Sequence, residues 1–290
     1  MTVTQSRPVL GRWRTRALET GGDGPVLVLL HGFGDHAGTW LPVLAELDRH
    51  GVRAVALDMP NFGEADPVGA GPMLDALDEF VAAAVQRWTE AGVPPVVVGN
   101  SLGGVMALRA GQDPAVVVSG VVPVSPAGFG HAWFIDLLEK YSWVNPLLFT
   151  PVVPMSLFRA LTARGYAWAA AGPSGVVRGV PRAAAAHFRG AADVKRIFGV
   201  APGLLAEIRS WSRAFAGVEV PCLILWGRHD RLTLIAGAQV LHAAVGHAEL
   251  VVLDDCGHCS QVGRPDLVAE HLVRFAGALR RPTVVEVQPR

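Results

Sequence analysis

Ser101 stands in the run Gly99-Asn100-Ser101-Leu102-Gly103-Gly104, directly after the β-branched stretch Val96-Val97-Val98 and ahead of a segment with helical spacing. A serine hydroxyl is a weak nucleophile until a base takes its proton, so G-x-S-x-G predicts catalysis only where a histidine and a carboxylate can be brought to it. Two later segments supply candidates: Asp230 in Trp226-Gly227-Arg228-His229-Asp230-Arg231, and His258 in Asp254-Asp255-Cys256-Gly257-His258-Cys259. With Ser101 as nucleophile, His258 would act as general base, and Asp230 would hold the imidazole in the correct tautomer and stabilise its charged form. An acyl-enzyme on Ser101 would then be released by water that the same histidine activates.

A serine on a tight turn between strand and helix is forced into strained backbone angles, and only small neighbours such as Gly99 and Gly103 leave room for that nucleophile elbow. The helix that follows aims its free amides at developing negative charge. An earlier strand, Val26 to Leu30, runs into the glycine-rich loop His31-Gly32-Phe33-Gly34-Asp35. The backbone amides of Phe33 and Leu102 are therefore expected to form the oxyanion hole. A lone G-x-S-x-G arises often by chance in a chain with 33 glycines; its weight here comes from the company it keeps.

Nearby residues have plainer readings. Asp254 and Asp255 precede the histidine and suit loop or capping roles, His229 suits a solvent-facing position, and His31 suits bracing of its own loop. His36 and Trp40 either shape an acyl pocket or simply pack. Cys256 and Cys259 flank His258 in C-x-x-C spacing, but a structural zinc would need two more ligands and would compete for the histidine, so neither a metal site nor a redox pair is expected.

The elements that must position these residues follow from hydrophobic periodicity. Val26–Leu30, Val52–Leu57, Val96–Val98, Val116–Val122, Cys222–Trp226 and Glu249–Leu253 read as buried strands, and Leu41–Arg49, Leu74–Thr89, Val105–Gly111, Ile235–Val245 and Leu267–Leu279 as helices. Alternation of strand and helix predicts an α/β fold with a mostly parallel sheet. From about Ala127 to Gly217 the strands stop and the chain becomes rich in Ala, Arg and aromatic residues, among them Phe129, Trp133, Phe134, Tyr141, Trp143, Phe149, Phe158, Tyr166 and Trp168. We read residues 127–217 as a helical insertion into a core formed by 1–126 and 218–290; the tail after Arg281 looks dispensable.

The 290 residues are just over half hydrophobic and 17% charged, which excludes a disordered chain. Lys plus Arg equal Asp plus Glu at 25 each, so no excess positive charge exists to draw nucleic acid. Neutrality hides an asymmetry: the insertion holds ten Lys and Arg against four Asp and Glu, a net +6, which leaves −6 for the rest. That basic face is either ordinary solvated surface or attracts an anionic substrate group or a lipid surface. Three cysteines do not form the paired framework of a small secreted domain, and the start lacks the apolar run of a signal peptide, which sets a cytoplasmic expectation. The uncharged stretch from Tyr141 to Phe158 is interrupted by Pro146, Pro151 and Pro154, so no transmembrane segment is expected.

Strand-end segments in the order Ser, Asp, His make the chain resemble the α/β-hydrolase family over roughly Val26 to Ala276, apart from the insertion, which occupies the place of that family's cap. Asp58-Met59-Pro60-Asn61-Phe62-Gly63 is similar to the family's D-x-P-G-x-G turn, with Asn61 in place of the first glycine, a residue that tolerates left-handed backbone angles. The resemblance implies a mostly parallel central sheet flanked by helices, with an inserted helical cap. It also implies a serine hydrolase that cleaves a carboxylic ester of a small or medium apolar substrate, without metal or organic cofactor. Serine at the elbow argues against the dehalogenases and epoxide hydrolases of the family, which place aspartate there. Carbon-carbon hydrolysis of ring-cleavage products is the alternative, although His31-Gly32-Phe33-Gly34-Asp35-His36 lacks the G-x-G-P-G type of segment associated with many of those enzymes. Thioester, lactone and amide cleavage stay open, as does a receptor that binds a small ligand on the same fold.

Overall fold

The computed structural model describes residues 3–130 and 154–279. Its centre is an eight-stranded sheet in which six strands run parallel. These are β5 (Asp23–Leu30), β6 (Val52–Leu57), β7 (Val96–Asn100), β8 (Gly120–Val124), β9 (Leu223–Gly227) and β10 (Glu249–Leu253). Before them come β1 (Thr4–Ser6), β2 (Val9–Leu10), β3 (Trp13–Arg14) and β4 (Ala17–Glu19). β1 and β4 extend the sheet antiparallel beside β6, giving the order β1-β4-β6-β5-β7-β8-β9-β10, and β2 and β3 form a separate hairpin.

Parallel strands are joined by crossovers that cover both faces of a sheet, so their residues are apolar on both sides. Val28, Leu30, Val97, Val121, Ile224 and Trp226 face one core layer, packed with α2 (Met73–Arg87), α3 (Leu102–Gln112) and α8 (Ala236–Val245). Leu27, Leu29, Val98, Val122 and Leu225 face the other, packed with α1 (Leu41–Arg49) and α10 (Pro265–Leu279). Between β8 and β9 lie α4 (Met155–Ala170), α5 (Val180–Ala186), α6 (Ala191–Gly199) and α7 (Ala201–Arg213), and the four-residue α9 (Ser260–Gly263) precedes α10. The α/β expectation holds, and the described part of 127–217 carries no strand longer than an isolated bridge. Trp133, Phe134, Tyr141, Trp143, Phe149, Pro146, Pro151 and the tail after Arg281 lie outside the described residues. Among the described residues, no helix is long and apolar enough to cross a membrane.

Two expectations need correction. The strand expected over Val116–Val122 begins at Gly120, because Asp113 spends the preceding residues on a turn: its carboxylate accepts from the Ala115 amide at 2.9 Å and its carbonyl from Val116 at 3.0 Å. Val117 is left 66% exposed. The four N-terminal strands were not expected at all, being two or three residues long and too short to show a period. They deliver Arg16 to the buried Asp58, its Nε lying 3.0 Å from Oδ2. Burial opposes ionisation of Asp58, but the adjoining guanidinium and the Ala37 and Glu64 amides hold its carboxyl below the usual range.

Candidate active site

The strand β7 ends in the elbow. Ser101 has φ 54° and ψ −110°, a conformation that costs a non-glycine residue on the order of 1–3 kcal/mol. It is held by its amide donating to Val124 O at 3.0 Å and its carbonyl accepting from Val105 at 3.1 Å. Gly99 and Gly103 cannot carry side chains: a Cβ on Gly99 would stand 2.0 Å from Gly103 O, and one on Gly103 would stand 2.3 Å from Leu30 O. The close approach of α3 to β7 and β5 therefore demands both glycines. Asn100 and Leu102 are buried while Ser101 is partly exposed, so the serine alone of the three reaches the surface.

The loop after β5 lies against the elbow, with a Cβ built on Gly32 only 3.3 Å from Ser101 Cβ. His31 is fully buried and braces that loop: Nε2 accepts from the Met59 amide at 2.9 Å, which leaves the proton on Nδ1 to donate to Gly32 O at 2.7 Å. Desolvation lowers its pKa, in keeping with a neutral structural ring. Asn61, in the neighbouring turn, sits at φ 77°, within the left-handed region that asparagine tolerates. Leu102 opens α3, so its amide has no partner one turn back in the helix. Phe33 packs edge-on to Phe62 and to Phe198 of α6, with centroids 5.5 and 5.9 Å apart.

After β9, the chain turns on a bond from the Asp230 amide to Gly227 O and buries the carboxylate. Oδ1 accepts from the amides of Leu232 and Thr233 at 2.8 and 2.9 Å, and Oδ2 accepts from Thr233 Oγ1 at 2.7 Å and from His258 Nδ1 at 2.8 Å. Burial works against the charge on Asp230, but His258, Thr233 and the Leu232 amide outweigh it and hold the pKa below the usual carboxylate range. A carboxylate fixed by so many donors keeps the proton on Nδ1 of His258 and frees Nε2 to act as a base.

Asn100 ties the histidine loop to the elbow: its Nδ2 donates to His258 O at 2.9 Å and to Val124 O at 3.2 Å, and its Oδ1 accepts from Gln261 Nε2 at 3.2 Å. Neither Thr233 nor this role of Asn100 is among the residues that the motifs point to. An Asx-type turn at Asp230 was a local signal for the first; nothing local could announce bonds to His258 and Gln261.

The other candidates have structural partners. Asp255 accepts from the Ser174 amide and pairs with Arg264, Asp254 pairs with Arg228, and His229 is exposed. Trp40 is fully buried in the core. His36 spans a junction, with Nδ1 accepting from Gly38 N and Nε2 3.1 Å from Ala183 O of α5. Cys222, Cys256 and Cys259 are buried free thiols whose pKa values burial pushes up, to about 12 for Cys222 and about 11 for Cys256. Among the described residues, no group of His, Cys, Asp and Glu could hold a metal ion.

Helices α4–α7 attach to these loops by polar bonds. Tyr166 donates to Asp35 Oδ2 at 3.1 Å, Asn61 Nδ2 donates to Arg196 O at 3.1 Å, and the His258 amide donates to Ala169 O at 3.1 Å. Glu207 caps α2 by accepting from the Met73 and Leu74 amides at 3.1 and 2.8 Å, placing a carboxylate on the positive end of that helix. A cavity of about 230 Å³ between α2, α3 and α7 is lined by Asp78, Arg109, Gln112 and Trp211, and none of Ser101, Asp230 or His258 borders it.

At the same junction His187 meets the His36 ring edge-on, at 5.3 Å between centroids. Desolvation and the His36 charge push its pKa from 6.5 down to about 4. The unfolded chain thus binds a proton on His187 below about pH 6.5 that the folded chain refuses until near 4, and stability drops as pH falls through that window. Allowing for the ring's partial exposure, the loss is about 2 kcal/mol. Urea titrations of wild type and His187→Leu across this range should show the stability difference between them shifting against the wild type by that amount as pH falls. A difference that does not change with pH contradicts the assignment.

Comparisons with known proteins agree with this architecture. The Alpha/beta hydrolase family model matches residues 27–271. The chain is 31% identical over 267 residues to a pimeloyl-[acyl-carrier protein] methyl ester esterase of Xanthomonas campestris pv. campestris (strain B100), covering 89% of this chain and 97% of that one. It is 24% identical over 272 residues to the monoacylglycerol lipase ABHD6 of Bos taurus, covering 89% and 77%. Among solved structures, an alpha/beta hydrolase fold protein from Burkholderia ambifaria superposes with a TM-score of 0.75 at 20% identity, covering 93% of this chain and all of that one.

Proposed function

The chain belongs to the alpha/beta hydrolase family, and from that membership we propose that it hydrolyses carboxylic esters of small or medium apolar substrates through Ser101, His258 and Asp230. The observation that carries the proposal is the buried His258 Nδ1–Asp230 Oδ2 bond at 2.8 Å, joined by Asn100 to the loop that presents Ser101 in strained geometry. The methyl ester esterase relative is itself an enzyme of ester hydrolysis.

In this reading His258 takes the proton from Ser101 Oγ as it attacks the ester carbonyl. The tetrahedral oxyanion is met by the amides of Phe33 and Leu102. Collapse expels the alcohol, protonated by His258, and leaves an acyl group on Ser101. Water, deprotonated by His258, attacks that acyl group; a second tetrahedral intermediate collapses to the acid and restores the serine. Asp230 stays ionised throughout. Residues 127–217 act as the cap, and the aromatic contacts from Phe33 through Phe198 to Phe188 and Phe158 support an apolar acyl portion.

Initial rates over p-nitrophenyl esters of increasing acyl length test the proposal. Turnover is expected, with an optimum among short to medium chains set by the cap. Absence of turnover with every chain length would remove simple ester hydrolysis, leaving carbon-carbon hydrolysis or ligand binding on the same fold.

A further inference from the structure

The outward face of α4 is apolar where a surface helix is ordinarily polar. Leu157 is 47% exposed, Leu161 57% and Trp168 53%. With exposed Arg164 they follow at intervals of four, three and four, which places all four on one stripe of the helix. The opposite face is the attached one, carrying Tyr166 to Asp35 and Arg159 to Phe188 O. Among the described residues, the stripe is thus surplus to the packing of the helix.

The stretch of chain that carries the stripe has charge of one sign. From residue 154 through 186 the chain has no Asp or Glu and four arginines: Arg159, Arg164, Arg178 and Arg182. The last three are exposed and make no ion pair among the described residues. Arg231 adds a fifth cation, standing 5.3 Å over the Trp168 ring and donating to the Trp168 carbonyl. Leucines flanked by arginines, with a tryptophan at one end, match the boundary between acyl chains and charged headgroups.

A protein partner suits the stripe less well. Three apolar side chains fall short of the roughly 800 Å² per side of a stable protein interface. A second copy across a two-fold axis would set Arg164 near its own image. We propose that this face of α4 docks on an anionic lipid bilayer, drawn there by exposed Arg164 within the stripe and by Arg231 beside Trp168. The inference does not depend on the ester-hydrolase reading.

Flotation of the full chain with vesicles of equal parts phosphatidylglycerol and phosphatidylcholine tests it, with pure phosphatidylcholine vesicles alongside. The protein should float with the anionic vesicles at low salt and be released at high salt. Leu157→Ser combined with Leu161→Ser, and separately Arg164→Glu, should each weaken binding about ten-fold or more. Both variants should keep wild-type rates on a soluble ester and a wild-type circular dichroism spectrum. Failure of the wild type to float with anionic vesicles overturns the proposal, as does binding that neither variant weakens. A wild-type dimer in sedimentation that the leucine variant dissociates also overturns it and gives the stripe to a second copy. A protein that floats but hydrolyses no ester leaves the proposal standing and removes the proposed function.

Discussion

Ser101→Ala is expected to lower kcat/KM by about 10⁴-fold or more for every ester the wild type turns over. The size follows from what is lost. Alanine has no oxygen to attack the carbonyl, so His258 and Asp230 have nothing to activate, and only binding and the oxyanion amides remain to assist water. The variant should fold as the wild type does. Alanine keeps a Cβ at φ 54°, so the strain of the elbow is unchanged, and the bonds holding residue 101 are all backbone bonds. A change in stability below about 1 kcal/mol is expected. Loss of activity with unchanged thermal unfolding therefore isolates the chemistry, whereas a variant within ten-fold of wild type would remove Ser101 from the reaction.

Gly103→Ala is expected to damage the protein through the fold. The new Cβ would meet Leu30 O at 2.3 Å and His31 O at 2.8 Å, both backbone atoms of the central strand and its following loop. Rigid backbone cannot yield as a flexible side chain can, so α3 must move away from β5. The cost should be about 3 kcal/mol or more, which in a chain of this size lowers the unfolding midpoint by on the order of 10 °C. The same shift carries Leu102 and the oxyanion-loop contacts out of place, so activity should fall with stability. Gly203→Ala is the contrast: it lies in α7 with nothing within 4 Å of a new Cβ, and alanine there should be neutral or stabilise by up to about 1 kcal/mol. Equal unfolding midpoints for the two variants would contradict the steric account.

Much of this site was legible because each of its parts follows a strand. Val96–Val98, Cys222–Trp226 and Glu249–Leu253 announce themselves by apolar runs, and the residues just after them are forced to one edge of a parallel sheet, where His258 meets Asp230 and Asn100, beside Ser101, bonds the His258 carbonyl. The glycines flanking Ser101 carried a further signal, since their need is local. Other features were hidden for physical reasons. Thr233 completes the Asp230 carboxylate through a side chain whose neighbours look like any turn. Asn100 and His258 are 158 residues apart, and Tyr166 and Asp35 are 131 apart, so periodicity could not foretell either bond. The N-terminal strands escape because two or three residues show no alternation, yet they bring Arg16 to Asp58, whose carboxylate accepts from the Ala37 amide and so steadies the chain that follows the His31–Asp35 loop. Val116–Val118 looked like strand because β-branched residues favour it, and the Asp113 turn overrode that preference.

As the proposed nucleophile, Ser101 becomes covalently acylated, and mass spectrometry after treatment with a fluorophosphonate reads out that reactivity. A single adduct is expected, on the peptide that carries Ser101, with ester turnover lost in proportion to labelling and no adduct on Ser101→Ala. Full turnover after complete exposure to the reagent, or loss of turnover with the adduct on another residue, would remove Ser101 as the nucleophile.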